Sequence, residues 1–299
     1  MDLFTISSDH LQASVRARGA ELCRLRTAGG VDLLWDGDPA FWSGQSPVLF
    51  PVVGALKDGR LRHQGVGYPM TKHGFARDRA FQLVRLSAHA CTLRLEDDAA
   101  SRAMYPFPFR LDLSFCITGA ALQVQFELHN PGSAPLPASF GAHPAFRWPL
   151  FPDQPREGHT LTFDQPEEAL LPTVDADGLL GPATRPSPVV GRRLTLADDL
   201  FTADALVFRP VHSQSVDYAG PGDAIRRTAT LRVAWTGFEQ LGVWTKPGAG
   251  FVCIEPWRGY ASPEGFDGEF TAKPGVFQVA PGATATAQYT VEVLEPEED

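Results

Sequence analysis

Apolar and polar residues alternate with period two along much of this chain. Leu122, Val124, Phe126 and Leu128 interleave with Gln123, Gln125, Glu127 and His129. Just upstream, Phe109, Leu111, Leu113, Phe115 and Ile117 interleave with Arg110, Asp112, Ser114 and Cys116. Successive side chains of an extended chain point to opposite faces, so each run predicts a strand with one apolar and one wet face. Thr118-Gly119-Ala120 supplies a turn between them, and the two runs are expected to pair as an antiparallel hairpin. Similar runs lie at 91–96, 228–235, 276–280 and 286–294, with Pro281-Gly282 marking a tight turn between the last two.

No stretch of a dozen residues carries an apolar stripe at helical spacing with caps. The 28 glycines and 26 prolines are spread along the chain, as many strands joined by many turns require. Half-wet antiparallel sheets bury their apolar faces by stacking on one another. The pattern therefore predicts an all-β chain, a large antiparallel β-sandwich forming a single domain over residues 1–299. Residues 149–188 are richer in Pro and Asp and alternate less; strands resume in the same style on both sides, so the segment reads as a long decorated loop over one sandwich. The acidic end Glu295-Pro296-Glu297-Glu298-Asp299 reads as a solvated tail.

The formal net charge of -9 argues against a nucleic-acid partner, which would want a basic stripe. No run approaches the roughly 18 apolar residues of a membrane span, and Met1-Asp2-Leu3-Phe4 lacks the basic start of a signal peptide. Four scattered cysteines (Cys23, Cys91, Cys116, Cys253) show no metal-ligand spacing and suit a reduced, cytoplasmic protein. The eight histidines are dispersed, with no pair at short metal-ligand spacing. Gly54-Ala55-Leu56-Lys57-Asp58-Gly59-Arg60 has glycines spaced as in a P-loop but not its Lys-Ser/Thr, and reads as a turn after a strand-like 48–53. No metal and no cofactor is expected.

Three segments place titratable residues in apolar or glycine-rich surroundings: Lys72-His73-Gly74-Phe75-Ala76-Arg77, Phe140-Gly141-Ala142-His143-Pro144-Ala145-Phe146, and Phe251-Val252-Cys253-Ile254-Glu255-Pro256-Trp257. In the third, the pleat puts Val252 and Ile254 on one face and Phe251, Cys253, Glu255 and Trp257 on the other. A carboxylate on an aromatic face is costly unless it is paired or opens onto a cleft; the alternative is an edge residue pointing to water. Pro256 removes a ladder donor and suggests a strand end or bulge. His143 and His73 read either as site residues or as histidines serving a turn.

Taken together and in order, these segments resemble the aldose 1-epimerase (galactose mutarotase) family, especially its LacX-like branch. Leu49-Phe50-Pro51 leading into Gly54, Asp204-Ala205-Leu206-Val207-Phe208 and Leu241-Gly242-Val243-Trp244 complete the match, which runs from about residue 5 to 293. The resemblance implies a galactose mutarotase-like supersandwich with a small-molecule sugar in its concave face. It implies Glu255 as general base, His143 as general acid and His73 as a helper at the ring oxygen, with Asp204, Arg77, Trp257 and Arg60 as sugar-binding candidates. One departure is that the substrate-binding arginine of the family falls at or near Ala55, leaving Arg60 or Arg77 to replace it.

Anomer exchange needs a proton taken from the C1 hydroxyl while another reaches the ring oxygen, giving an open-chain aldehyde that recloses on its other face. A carboxylate and an imidazolium do this without a cofactor. The expected resting state is an ionised Glu255 and a protonated His143, each holding the other charged. Three other functions compete: a hexose-6-phosphate mutarotase using Arg60, Arg62, Arg77 and Arg79, a non-catalytic carbohydrate-binding protein on the same fold, and a glycoside hydrolase using Glu255 and Asp204.

Overall fold

All the alternating runs except 276–280 become neighbouring strands of a nine-stranded antiparallel sheet. The computed structural model describes residues 2–221 and 230–294; the acidic end and the first two residues of the 228–235 run lie outside them. Across that sheet the strands are Arg193–Thr195, Thr160–Phe163, Ser215–Ala219, Thr230–Thr236, Thr284–Leu294, Ala121–His129, Arg110–Thr118, Ala90–Glu96 and Gln82–Leu86. The expected hairpin closes on Gly119 and Ala120, with Thr118 opposite Ala121 and Gly119 at φ 56°. Leu122, Val124, Phe126 and Leu128 are buried on one face while their polar neighbours stay half-buried. Asp112, on the opposite face from Leu111 and Leu113, is held by both nitrogens of an Arg94 fork at 2.7 and 2.8 Å.

The second large sheet carries the candidate chemistry. In chain order, the strands that matter for it are β1 (Val48–Leu49), β2 (Phe140–Ala142), β3 (Ala145–Arg147), the hairpin β4 (Leu171–Val174) and β5 (Leu180–Arg185), then β6 (Leu206–Phe208), β7 (Gln240–Trp244) and β8 (Phe251–Arg258). The sheet order is β6-β7-β8-β2-β1, with β3 also pairing β8. The two sheets stack apolar face on apolar face. Phe126 of the first lies on Phe140 of the second with ring centroids 5.5 Å apart, and a continuous buried cluster runs from Ile6 to Val291. Helix is confined to a single turn, Ala99–Arg102, and short 3₁₀ segments among the described residues.

Two expectations need correction. Residues 149–188 are not a plain loop. They contain Thr160–Phe163, an internal strand of the nine-stranded sheet, and the β4–β5 hairpin, which is too short to show a clear period. Pro256 does not end its strand: β8 runs unbroken through it. The Pro281-Gly282 turn is present, with Gly282 at φ 72°. The runs on either side of it do not pair with each other, however. Phe277–Val279 joins Leu136–Ala138, and Thr284–Leu294 enters the large sheet.

Candidate active site

Glu255 lies on β8, whose pleat separates two environments as the sequence predicts. Val252 and Ile254 enter the main core, whereas Phe251 and Cys253 pack in a separate cluster with Trp35 and Ala145. Along one flank β8 pairs without interruption with β7. Along the other its partner strand is broken. β2 pairs with Gly141 opposite Trp257, and β3 with Ala145 opposite Cys253. The register is the same on both sides of the break, so His143 falls directly across from Glu255. Pro144 and Pro256 lack ladder donors, which explains why the hydrogen bonding opens there without the strands separating. His143 Nε2 lies 3.2 Å from Glu255 Oε2.

His73 reaches the same place from a turn. Its backbone is left-handed at φ 68°, and Gly74 follows at φ 75° with Phe50 so close that a Cβ would sit 2.1 Å from its carbonyl oxygen. Only glycine fits there. The His73 N–H donates to Gly54 O at 2.9 Å, and the Gly54 N–H donates to His73 Nδ1 at 3.2 Å. Because Nδ1 accepts, the neutral ring carries its proton on Nε2. The His73 and His143 rings stand nearly perpendicular with centroids 5.7 Å apart.

These groups line one cavity of about 300 Å³. Asp204, Arg77 and Trp257 line it as well, so six of the seven candidates from the sequence meet there. Arg60 does not. It is exposed at the start of the strand Arg60–His63 and donates to Gly67 O. Trp257 is seated between two glycines. A Cβ on Gly141 would lie 2.6 Å from its ring, and one on Gly242 only 2.4 Å.

The sequence reading missed Trp42, Trp244, Tyr260 and Lys72 as cavity residues. Trp42 and Trp244 flank the His143 ring at 5.0 and 5.9 Å. Trp42 lies in an aperiodic, Gly- and Pro-containing stretch that gives no face to assign. Lys72 stands in plain view beside His73, and its ammonium sits 3.8 Å from Asp204 Oδ2. A Cβ on Gly178 would lie 3.4 Å from Lys72 Nζ and 3.6 Å from the Ala55 methyl, so two small residues leave space for this cation.

The electrostatics follow from burial. Glu255 is 1% exposed, and desolvation raises its pKa well above the carboxylate range, against the opposing charge of Lys72. Desolvation likewise pushes His143 down to about 3 and His73 well below its ordinary value. Both directions differ from the ion pair expected from sequence: burial favours a protonated Glu255 beside a neutral His143. Three buried polar atoms of cavity residues, His143 Nδ1, Glu255 Oε2 and Trp257 Nε1, lack a well-aligned hydrogen-bond partner among the described residues, even with His143 Nε2 only 3.2 Å from Glu255 Oε2. Such groups are costly unless something pairs with them.

The ligand atoms of His143, Cys253 and Glu255 lie within 4.8 Å of one another, a convergence that sequence spacing hides. Burial, with Glu255 beside it, raises the Cys253 thiol well above its usual range.

A family model for aldose 1-epimerase matches residues 2–274. The chain belongs to the aldose 1-epimerase family. It is 27% identical to the LacX protein of Lactococcus lactis subsp. lactis, over 97% of this chain and 98% of that one. A galactose mutarotase-like protein from Lactobacillus casei superposes with a TM-score of 0.89 at 26% identity, covering 98% of this chain and 100% of that one. A galactose mutarotase related enzyme from Lactobacillus acidophilus gives a TM-score of 0.91 at 24% identity, over 100% and 99% of the two chains. Membership in the aldose 1-epimerase family agrees with an isomerase-type enzyme on a mutarotase-like sandwich. No helix among the described residues is long and apolar enough to cross a membrane.

Proposed function

We propose that this chain catalyses the exchange of α and β anomers of an aldohexose. The observation that carries the reading is the buried pair Glu255 Oε2 and His143 Nε2, 3.2 Å apart in a ring-sized cavity that Trp257 also lines. Sugar hydroxyls both donate and accept, so a hexose pairs with both groups at once.

Glu255 takes the C1 hydroxyl proton, and His143 Nε2–H protonates the ring oxygen as the C1–O bond breaks. The aldehyde rotates about C1–C2, and the same groups run the steps backwards to close the ring. His73, with its proton fixed on Nε2 by the Gly54 N–H, donates to the ring oxygen or a neighbouring hydroxyl. Lys72, Asp204 and Arg77 hold the remaining hydroxyls from the cavity wall. Ring opening leaves Glu255 protonated and His143 neutral, the state that burial favours in the empty site. Moving one proton across the 3.2 Å contact restores the charged pair, so the proton count never changes.

Of the four arginines that could meet a phosphate, only Arg77 lines the cavity. Arg62 is paired with Asp58 and Asp267, and Arg79 with Asp98. The free sugar is therefore the favoured substrate. The test is polarimetry of freshly dissolved α-D-glucose and α-D-galactose, each beside its 6-phosphate. The expected outcome is faster approach to equilibrium with a free sugar. Acceleration confined to the phosphates would replace the substrate, and spontaneous rates throughout would remove the enzymatic reading.

A further inference from the structure

One lysine of this fold is buried without a carboxylate partner. Lys273 follows the 3₁₀ turn Phe270–Ala272 and is only 3% exposed. Burial lowers its ammonium to about 7, and no neighbouring negative charge among the described residues offsets that cost. Asp267 lines the same small hollow, together with Lys57, Arg60 and Arg62, but pairs with Arg62 at 2.6 Å. Lys273 binds two backbone carbonyls instead. Its Nζ donates to Tyr260 O at 2.5 Å and to Pro274 O at 3.0 Å, and stands 5.3 Å from the centre of the Tyr260 ring. A methionine would occupy similar space without burying a charge, so packing alone does not account for a lysine here.

The first of those carbonyls belongs to the loop that leaves β8. Tyr260 and Ala261 of this loop line the catalytic cavity, whereas Lys273 does not. The loop is tightly fitted. The Tyr260 ring lies so near Gly275 that a Cβ there would stand 2.7 Å from its Cε1, and the Arg209 guanidinium lies 4.9 Å from the ring centre. One residue on, Ala261 rests against Gly54: a Cβ on Gly54 would sit 2.5 Å from the Ala261 methyl and 2.8 Å from its nitrogen. The Ser262 N–H donates to Ala55 O at 2.9 Å, which ties the two segments together. Gly54 in turn holds His73 twice, through its N–H on Nδ1 and its carbonyl on the His73 N–H. Direct contacts therefore run from the Lys273 ammonium through Tyr260 and Ala261 to Gly54 and the His73 ring.

We infer that Lys273 is a positioning residue: by tying the Tyr260 and Pro274 carbonyls together, it seats the 259–262 loop on Gly54 and so keeps the His73 ring in its Nε2–H form on the cavity wall. Its consequence for rate rests on the mutarotase reading; its hold on His73 does not.

Lys273→Met keeps the length of the side chain and removes its donors. Nitrogen NMR of the imidazoles, with the His73 signal assigned by its loss in His73→Gln, reads the ring whether or not the protein turns sugar over. The expected result is a single Nε2–H pattern in the natural protein and a mixture of tautomers in Lys273→Met. On α-D-glucose the kcat of the variant is expected to fall at least about tenfold, more than KM changes, because a displaced helper is lost chiefly to the transition state. Lys273→Gln keeps an N–H donor with no charge to bury. It is expected to shift both readouts in the same direction by less, and it serves if the methionine variant does not fold. In a folded variant, an unchanged His73 signal would overturn the positioning role, as would an unchanged kcat where the natural protein is active. A lowered unfolding midpoint with both readouts unchanged is what packing alone would give. A changed His73 signal, in a protein whose natural form leaves the anomers at their spontaneous rate, would leave the hold on His73 standing and overturn the mutarotase reading alone.

Discussion

At the scale of single residues, the proposed chemistry depends on where one proton resides. Glu255 Oε2 and His143 Nε2 stand 3.2 Å apart, and burial lowers the histidine to about 3 while raising the carboxyl. The acid limb of kcat/KM reports the free enzyme. It is therefore predicted to lie well below the ordinary histidine value of about 6.5. A rate profile on glucose from pH 4 to 8 checks this, and a limb centred between pH 6 and 7 would refute it. The same depression has a stability consequence. Between about pH 3 and 6.5 the unfolded chain binds a proton on this histidine that the folded chain refuses. The contribution of His143 therefore erodes as pH falls through that window. His73, shifted in the same direction, adds to the loss.

At the scale of elements, the site is an interruption in otherwise regular pairing. β2 and β3 hold one register against β8, and the two prolines open the ladder where His143 faces Glu255. Trp257 keeps its place because β7 and β2 present glycines to it. Gly242→Ala puts a methyl 2.4 Å from that ring, and overpacking of this kind costs about 1–3 kcal/mol. The predicted outcome is a raised KM for sugar with a lowered unfolding midpoint, measured by saturation kinetics and thermal unfolding. An unchanged KM would mean that Trp257 does not touch substrate. Much of this was legible in the sequence, because a strand pleat is a local property: the two faces of β8 follow from residues 251–257 alone. What escaped was non-local. Nothing in the order of residues says that the break at His143-Pro144 stands opposite Ile254-Glu255, or that Trp42 comes to rest on His143. Lys72 was passed over in favour of two arginines because sequence shows which cations exist and not which of them reach a cavity. Arg60 failed for the same reason.

For the whole molecule, two antiparallel sheets share one core, and the concavity between strands and loops on the outer face of the smaller sheet is where the buried Glu255, His143 and His73 meet. Long-range packing between the sheets is what keeps that face in shape. Phe126, 1% exposed and wedged against Phe140 and Phe238, is one of the side chains joining them. Phe126→Ala is predicted to cost about 3–5 kcal/mol, read from denaturant midpoints. A loss under about 1 kcal/mol would show that the sheets do not depend on each other there. Period-two alternation revealed the stacked architecture, since every strand that buries one face announces it. It was silent over 149–188, where a four-to-six-residue strand gives too few alternations to count, and that segment supplies Val174, Gly178 and Leu180 to the cavity wall.

The central claim is that the buried carboxyl of Glu255 is the base for anomer exchange. Glu255→Gln keeps the shape and removes the titrating oxygen, so its effect on rate is separable from its effect on folding. Polarimetry of fresh α-D-glucose, with natural protein and variant at equal concentration and thermal unfolding run beside it, is the direct test. The account predicts that the variant loses at least about 100-fold of the catalysed rate, with an unfolding midpoint no lower than that of the natural protein. A folded Glu255→Gln variant that equilibrates the sugar as fast as the natural chain would contradict it.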